Sequence, residues 1–225
     1  MLTAAELARR IDHTALKPET TRGDVERLCR ETREHGFGAV CVAPVWIAAA
    51  ARWLEGSSSR VCAVVGFPHG SSTAEIKAAE AKRALDDGAI ELDMVMAVGL
   101  FKSDDSSAAE SDIRAVVEAA RGRGALVKVI LETALLSAEE KVRACRLAEK
   151  AGAAFVKTST GFGPGGATVE DVALMARTVG RRLGVKAAGG VRTLDFALAL
   201  LDAGATRLGC SASVALVRER AGRAG

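Results

Sequence analysis

Short apolar runs recur along the whole chain, separated by longer stretches in which apolar and polar residues mix. Eight of these runs, three to six residues long and rich in Val, Ile, Leu and Ala, predict buried β-strands. The predicted strands are Ile11–Thr14, Ala39–Val42, Val61–Val65, Glu91–Met94, Leu126–Leu131, the run Ala153–Val156 that leads into Lys157, Val185–Ala187 and Arg207–Gly209. They recur about every 25 residues, which leaves room for one helix after each strand.

The intervening stretches have helical periodicity and helix start and stop signals. The predicted helices are Thr3–Arg10, Thr21–His35, Pro44–Leu54, Ser72–Asp86, Asp104–Arg121, Ser137–Lys150, Thr168–Val179, Thr193–Ala203 and Ser211–Arg223. Two of them start with a capping-box pattern, Ser72 with Glu75 and Ser137 with Glu140. Eight strands that alternate with helices indicate an α/β protein.

Two architectures fit this alternation: a closed (β/α)8 TIM barrel and an open doubly wound sheet. The barrel is favoured because the strand count is eight and no early GxGxxG marks a dinucleotide-binding turn. The length of 225 residues is within the range of one barrel, and no linker or low-complexity segment interrupts the chain. We therefore expect a single domain over residues 1–225, opened by a short N-terminal helix.

Composition narrows the class of function. The formal net charge of +3 is far from the basic excess of a nucleic-acid binder, and aromatic residues, with no tyrosine, are too few for a base-stacking platform. No apolar stretch approaches the ~20 residues of a membrane span, and Met1–Arg10 does not resemble a cleavable leader. The five scattered cysteines show no metal or redox spacing. We expect a cytoplasmic protein with no metal, no cofactor and neither nucleic acid nor membrane as a partner.

Polar and charged residues concentrate toward the ends of predicted strands, which share one mouth in a parallel barrel. They are Asp12, His13 and Thr14 on the first strand, Glu91 and Asp93 on the fourth, Lys128, Glu132 and Thr133 on the fifth, Lys157 on the sixth and Lys186 on the seventh. Unpaired charges inside a barrel cost several kcal/mol each. Several inward lysines with an aspartate therefore indicate a site and not a plain core.

Lys157 is the candidate nucleophile, because a desolvated lysine at a strand end can lose its proton and attack a carbonyl to form a Schiff base. A strand-end lysine can also simply reach out to water. Lys186, on the next strand, would disfavour the charged form of Lys157 by repulsion, or would hold a substrate phosphate. Asp93 is suited to proton transfer and equally to pairing with Lys128 or Lys186.

The last βα turns are candidate phosphate sites. Gly189 and Gly190 follow the seventh strand and Gly209-Cys210-Ser211 the eighth, and each turn leads to a helix N-terminus. Glycine there allows close approach of backbone to a ligand. The segment Gly161–Gly166 after the sixth strand is expected to form a lid or rim of the site, or else a plain flexible loop.

Seven segments, in order and over nearly the whole chain, resemble the deoxyribose-phosphate aldolase family. They are IDHTALKP (11–18), VVGFPHG (64–70), ELDMV (91–95), LVKVILET (126–133), FVKTSTGF (155–162), VKAAGGVRT (185–193) and GATRLGCSA (204–212). The resemblance implies a (β/α)8 barrel and a metal-independent class I aldolase. Such an enzyme reversibly splits 2-deoxy-D-ribose 5-phosphate into acetaldehyde and D-glyceraldehyde 3-phosphate.

The resemblance also implies roles for individual residues. It makes Lys157 the Schiff-base lysine, Lys186 the lysine that tunes it and Asp93 the acid/base group. The substrate-binding positions it implies are Lys128, Thr160, Gly161, Gly189, Gly190, Gly209 and Ser211. The family commonly forms homodimers or homotetramers, so a homo-oligomer acting on a small phosphorylated sugar is expected.

Some positions depart from the family pattern. Ala188 stands where many members have serine, and Cys210 and Ala212 replace small or hydroxyl residues, so side-chain contacts to phosphate are not expected there. The end of the sequence, Arg220–Gly225, lacks the tyrosine that some members use in proton transfer. That step is expected to fall to Asp93 and water, or to be slower.

Two other functions remain compatible with the residues. One is a phosphosugar isomerase or synthase of the same shape, with Asp93 or Glu132 as base and the lysines as electrophiles. The other is a sugar-phosphate binding or regulatory protein without turnover. Paired inward lysines argue against the second, because binding alone does not require a neutral amine.

Overall fold

The eight apolar runs form the strands of a closed parallel barrel in a computed structural model that describes residues 2–103 and 105–223. The strands are β1 (Ile11–Ala15), β2 (Ala39–Val42), β3 (Arg60–Val65), β4 (Glu91–Val95), β5 (Leu126–Ile130), β6 (Phe155–Lys157), β7 (Gly184–Ala188) and β8 (Arg207–Cys210). Each strand pairs with its sequence neighbours, and β8 closes the barrel against β1. The (β/α)8 prediction is confirmed, with strand ends within two residues of those predicted.

Ten α-helices occur in the described part of the chain. They are α1 (Ala4–Arg9), α2 (Arg22–His35), α3 (Ile47–Trp53), α4 (Ala74–Asp86), α5 (Val98–Lys102), α6 (Ser106–Ala120), α7 (Ala138–Lys150), α8 (Val169–Val179), α9 (Leu194–Asp202) and α10 (Ser213–Gly222). Short 3₁₀ turns at Pro44–Trp46 and Thr133–Leu135 follow β2 and β5. None of these helices combines the length and the hydropathy that crossing a bilayer requires.

Two helix predictions need correction, and one helix was not predicted. The capping box predicted for Ser72 and Glu75 is wrong, because α4 begins after Thr73, whose side chain makes no capping bond. The helix predicted over Asp104–Arg121 is present as α6, which is capped by Asp105, but the short helix α5 before it was not predicted. Asp104 itself lies outside the described residues, as do Met1, Ala224 and Gly225. The last helix begins at Ser213 and not at Ser211, which leaves Ser211 in the turn after β8.

Other caps follow the sequence closely. Ser137 and Glu140 form the predicted capping box at the start of α7, and Thr3 with Glu6 and Thr21 with Asp24 form two more. Each pair satisfies free amide donors of a first helical turn. Local sequence chemistry therefore decides where these helices begin.

The strands bury different residues on their two faces. Outward-facing Val40, Val42, Val61, Ala63, Leu92 and Met94 join the main core with the helices. The opposite face of β2 and β3 forms a separate small apolar cluster inside the barrel, made of Ala39, Cys41, Cys62 and Val64. The remaining interior is rich in charge, because Asp12, Glu91, Asp93, Lys128 and Lys186 are all fully buried. The barrel interior thus contains a small apolar cluster next to a larger group of charged side chains.

A buried ion pair fastens the end of β4, close to Asp93. The Lys77 Nζ of α4 donates to Asp112 Oδ2 of α6 at 2.7 Å and to the Val95 carbonyl at 2.9 Å. The Ala97 amide donates to the same carboxylate oxygen at 3.0 Å. Burial lowers the pKa of Lys77 and raises that of Asp112, so both charges depend on each other.

We expect Lys77→Met to lower the free energy of unfolding by about 3–5 kcal/mol, because it leaves the Asp112 carboxylate buried without its cation. Urea unfolding measures the change. Lys82→Met, at an exposed position of the same helix, should change the free energy by less than about 0.5 kcal/mol. The double variant Lys77→Met/Asp112→Leu should recover part of the loss. A double variant less stable than Lys77→Met alone would contradict this account of the pair.

Candidate active site

Lys157 connects the barrel interior to an open cleft. It is the last residue of β6, its side chain is almost fully buried, and its Nζ lies 2.7 Å from Asp93 Oδ2. It also lines a cleft of about 840 Å³ at the mouth of the barrel. The amine is therefore shielded from bulk water yet open to a ligand in the cleft, which is the setting that amine chemistry on a carbonyl requires.

Lys186 binds the same carboxylate oxygen as Lys157. Lys157 and Lys186 are paired residues of neighbouring strands, and Lys186 Nζ is also 2.7 Å from Asp93 Oδ2. The two amines are therefore no more than about 5.4 Å apart. At that separation in a buried site each charge strongly influences the other.

Further counterions lie deeper in the barrel. Lys186 forms a second ion pair with Asp12, whose other oxygen accepts from Arg207 at 2.7 Å. Lys128 Nζ lies 2.8 Å from Asp93 Oδ1 and 2.6 Å from Glu91 Oε2. These seven side chains form what we call the interior charge cluster: Asp12, Glu91, Asp93, Lys128, Lys157, Lys186 and Arg207.

The interior charge cluster has more cations than carboxylates. Four basic side chains face three acidic ones, and the half-exposed Arg60 adds a further contact to Glu91 at 3.0 Å. Lys128 and Lys186 each contact more than one carboxylate, whereas Lys157 contacts Asp93 alone. Among the described residues of the cluster, Lys157 is therefore the cation that is least compensated.

Ionisation within the cluster follows from burial opposed by charge. Burial alone would raise the pKa of Asp93, but Lys128, Lys157 and Lys186 outweigh it and hold the pKa well below its ordinary value. Asp12 behaves in the same way, and its pKa is lowered by Lys186, Lys128 and Arg207. Burial would lower the pKa of Lys186, but Asp12 and Asp93 raise it instead. Asp12 and Asp93 are thus carboxylates and Lys186 is an ammonium at neutral pH.

Two cysteines extend this cluster, which the sequence spacing did not indicate. Cys62 Sγ lies 3.1 Å from Asp93 Oδ1 and 3.3 Å from Lys128 Nζ. Cys62 could form three-residue ligand sets with Cys41 and Asp93 or with Asp12 and Glu91. The Lys128 ammonium is already bonded among these groups, at 2.6 Å from Glu91 and 2.8 Å from Asp93. The Lys128 ammonium therefore provides the positive charge that a metal cation would provide to these carboxylates.

The glycine-rich turns after β7 and β8 lie on the same cleft as Lys157. Gly189 and Gly190 have φ of 89° and 80°, left-handed values that favour glycine. Gly209 and Ser211 line the cleft as well. The helix after the second turn, α10, has no side-chain cap at Ala212. Its first-turn amides are thus not satisfied by a capping side chain, which suits an anion.

Gly209 has an additional reason to be glycine. A Cβ at this position would lie 3.0 Å from Lys186 Cε and 3.0 Å from Ala188 Cβ. Real Cβ contacts are rarely so close, so a larger residue would displace the lysine side chain. Gly209 therefore leaves room for the stem of Lys186 in addition to lining the cleft.

The loop after β6 is held by Glu132. The Thr160 hydroxyl donates to Glu132 Oε2 at 2.5 Å and accepts from the Phe162 amide at 3.0 Å. Glu132 has φ of 56°, unusual for a residue with a side chain. Thr160, Gly161 and Phe162 all line the cleft, and the loop forms one of its rims. The Thr160 hydroxyl is therefore already engaged both as a donor and as an acceptor.

The structure brings the sequence-predicted residues together, but at two depths. Lys157, Thr160, Gly161, Gly189, Gly190, Gly209 and Ser211 line the cleft. Asp93, Lys128 and Lys186 are fully buried beneath it. Glu91 was expected near the mouth, but as the first residue of β4 it lies deep in the barrel. The catalytic and binding roles of all these residues stay predictions.

Arg207 is the main residue that sequence reasoning missed. It opens β8 and reaches both Asp12 and Glu91. Alternation along the strand could have found it, because Arg207 lies two residues before Gly209 and so shares its inward face. The contribution of Asp12 as a counterion of Lys186 was also not foreseen.

A family model and several known proteins of similar sequence and fold are those of aldolases. Residues 7–218 match the family model described as DeoC/LacD family aldolase. The chain is 57% identical over 211 residues to deoxyribose-phosphate aldolase of Listeria innocua and 55% identical to that of a Geobacillus species, each match covering 94% of both chains. The tetrameric deoxyribose phosphate aldolase of Aeropyrum pernix superposes with a TM-score of 0.92 at 34% identity, over 97% of this chain and 92% of that one.

We expect Asp12→Asn to lower the free energy of unfolding at pH 7 by about 3–5 kcal/mol, because Lys186 and Arg207 lose a buried counterion. The wild type should also lose stability as the pH falls below about 4, where Asp12 takes up a proton in the unfolded chain but not in the folded one. The variant should show a shallower acid slope.

Urea unfolding from neutral to acidic pH measures both effects. Asp202→Asn, at an exposed position at the end of α9, is the control and should leave the stability at neutral pH almost unchanged. Equal acid slopes in the wild type and in Asp12→Asn would show that Asp12 does not retain its charge in the folded state.

Proposed function

The chain belongs to the DeoC/LacD family of aldolases, and from this premise we propose that it reversibly splits 2-deoxy-D-ribose 5-phosphate into acetaldehyde and D-glyceraldehyde 3-phosphate through a Schiff base on Lys157. The substrate is suggested by the aldolases of Listeria innocua and Aeropyrum pernix that the chain resembles. The observation that carries the mechanism is the position of Lys157, which alone among the described cations of the interior charge cluster reaches the cleft.

The charge balance of the cluster favours a neutral amine at position 157. Loss of one proton brings the four cations and three carboxylates into balance, and it costs least where a cation has fewest counterions. Lys157 contacts one carboxylate and the cleft, whereas Lys186 is held as an ammonium between Asp12 and Asp93. Lys186 keeps its positive charge close to the Lys157 amine. This position fits the role of a tuning residue better than that of a phosphate ligand.

The remaining steps need protons moved close to the Schiff base. Lys157 attacks the substrate carbonyl carbon, and loss of water gives an iminium that accepts the electron pair of the breaking carbon–carbon bond. Asp93 is ionised and touches the Lys157 amine, so it is placed to accept a proton and return it during these steps. None of the 225 residues is a tyrosine, and we therefore assign these proton transfers to Asp93 and water.

The substrate phosphate would bind at the turns after β7 and β8. The uncapped start of α10 provides amide donors, and the left-handed Gly189 and Gly190 bring backbone close to the cleft. Ala188, Cys210 and Ala212 also line this region, and none of them carries a hydroxyl. Phosphate recognition would therefore come mainly from backbone amides, with Ser211 as the hydroxyl-bearing residue of the turn.

An oligomer in the cytoplasm is part of the same proposal. The Aeropyrum pernix aldolase is tetrameric. Exposed apolar side chains such as Val45 and Ile76 are compatible with contacts between copies of this chain. The five cysteines are free and buried, which suits a reducing compartment.

Borohydride added together with acetaldehyde should leave one ethyl group on Lys157 and abolish activity, because reduction converts the Schiff base into a stable secondary amine. Peptide mapping by mass spectrometry locates the label. Borohydride without acetaldehyde is the control and should leave the enzyme active. Lys157→Arg should lose activity by roughly 10⁴-fold or more and take up no label. Labelling of another lysine, or full activity with Lys157 unlabelled, would rule out the proposed nucleophile.

Lys186→Leu should lower kcat/KM and move the rising limb of the pH–rate profile to higher pH, because it removes the positive charge next to the Lys157 amine. Steady-state kinetics over pH measures this, with circular dichroism to verify folding. Arg192→Leu, in the exposed part of the turn after β7, is the contrasting variant and should raise KM without moving the limb. A Lys186→Leu variant that changes KM alone would make Lys186 a phosphate ligand.

A further inference from the structure

A buried chain of serine, histidine and glutamate lies behind the start of α10. His13 Nδ1 is 2.9 Å from Ser213 Oγ, and His13 Nε2 is 2.8 Å from Glu31 Oε2. Ser213 Oγ is also 3.0 Å from the Cys210 carbonyl oxygen. His13 is on β1 next to Asp12, and the inward position of Asp12 sends the neighbouring His13 to the outer face of the barrel, toward α2 and α10.

Serine, histidine and glutamate are the residue types of a hydrolytic triad, but here a substrate cannot reach the serine. Ser213 is fully buried and His13 nearly so, and Ser213 does not line the cleft, so its hydroxyl cannot reach a substrate carbonyl there. A nucleophilic role is therefore excluded by geometry. What remains is a proton-dependent link between His13 and the backbone around Ser213.

The hydroxyl of Ser213 has one proton and two oxygen or nitrogen acceptors, His13 Nδ1 and the Cys210 carbonyl, besides the weaker Cys210 Sγ at 3.4 Å. If His13 is neutral, with its proton on Nε2 toward Glu31, then Nδ1 is an acceptor and the Ser213 hydroxyl donates to it. If His13 is protonated, both ring nitrogens donate, and the hydroxyl can only accept from His13. Its proton then turns to the Cys210 carbonyl. The charge of His13 thus decides which bond Ser213 makes.

Ser213 is the first residue of α10, the helix whose uncapped start lies beside the proposed phosphate position. His13 and Cys210 both line the same cleft as Gly209 and Ser211. Protonation of His13 adds one positive charge directly behind these amide donors and frees the Ser213 hydroxyl to hold the Cys210 carbonyl. Both changes favour an anion at the start of the helix.

The groups around the His13 imidazole determine the pH at which it is protonated. The titratable groups that face it are Glu31 and His35 from α2, while β8 presents the Cys210 backbone and α10 presents Ser213, whose Oγ lies 3.4 Å from the Cys210 thiol. The Phe37 ring packs against it at 5.0 Å between centroids. Burial lowers the pKa of His13 against the opposing pull of Glu31, and burial raises the pKa of the Cys210 thiol to about 11. His13 is therefore neutral at neutral pH and gains its proton on acidification.

We propose that His13 is a positioning residue for the phosphate site, and that its protonation, relayed through Ser213 to the start of α10, strengthens binding of an anionic ligand. The inference rests on the proposed function in placing the phosphate of the substrate at this turn. By linkage, an anion that binds there must lower the acid dissociation constant of His13 by the same factor by which protonation of His13 strengthens anion binding. The pKa of His13 therefore rises by the logarithm of that factor.

The first test uses sulfate as the probe, because sulfate keeps its double charge where histidine titrates. The chain has three histidines, so the ring proton resonances of His13 can be assigned by comparison with His13→Gln. Saturating sulfate should raise the pKa of His13, and sulfate affinity should increase on the order of three- to tenfold between about pH 8 and pH 5. His13→Gln should lose this increase. A His13 pKa that does not respond to bound sulfate would overturn the inference, and sulfate that does not bind would overturn it as well.

Ser213→Ala keeps the test decisive if His13→Gln fails to fold. It removes the relay but leaves the imidazole, so the sulfate-induced rise in the His13 pKa should shrink. Glu31→Gln removes the carboxylate that favours the cation and should move the pH dependence of sulfate binding to lower pH. A rise in the His13 pKa that is unchanged in Ser213→Ala would exclude the relay.

Turnover separates this inference from the proposed function. At acidic pH, His13→Gln should lose more kcat/KM with 2-deoxyribose 5-phosphate than with 2-deoxyribose, and the loss should lie mainly in KM. Equal losses with both substrates would reject the phosphate-positioning role while leaving the aldolase intact. If borohydride trapping on Lys157 fails, the proposed function is wrong, but the sulfate titration of His13 still reports on the relay.

Discussion

The carboxylate of Asp93 is the group on which the rest of the site depends. Its two oxygens contact the Nζ atoms of lysines on three successive strands, Lys128 on β5, Lys157 on β6 and Lys186 on β7. Without it, the three amine groups would lie close together in a medium that screens charge poorly. Asp12 and Glu91 then neutralise the deeper cations, which leaves Lys157 as the least compensated. The proposed nucleophilic role of Lys157 rests on this uneven distribution.

A closed barrel is well suited to hold the interior charge cluster. Inward residues of all eight strands share one lumen, so charges from β1, β4 and β8 can reach those of β5 to β7 without leaving the interior. The cost of burying these charges is offset by mutual pairing and by the large apolar core between strands and helices. The Lys77–Asp112 pair, which fastens the backbone beyond β4, adds support to the strand that carries Asp93.

The site divides its work between side chains and backbone. Charged side chains from the strands provide the Lys157 amine that we propose as the nucleophile and its counterions, whereas the turns after β7 and β8 present glycines and the amides of a helix start. The two parts meet at Gly209, which lines the cleft and leaves room for the stem of Lys186. His13 and Ser213 lie outside the barrel behind the turn after β8, so the effect on anion binding that we propose for them does not require contact with the charge cluster.

The sequence by itself determined the strands, the helices and the inward lysines, because these follow from local periodicity, capping residues and turn glycines. It failed where local signals were ambiguous, as at the start of α4 and at the short helix α5, which was not predicted. Only the tertiary structure decided which charges meet. Lys186 and Asp12 are 174 residues apart in the sequence, and His13 and Ser213 are 200 apart. Such contacts depend on strand register and on closure of β8 against β1, which no local pattern records.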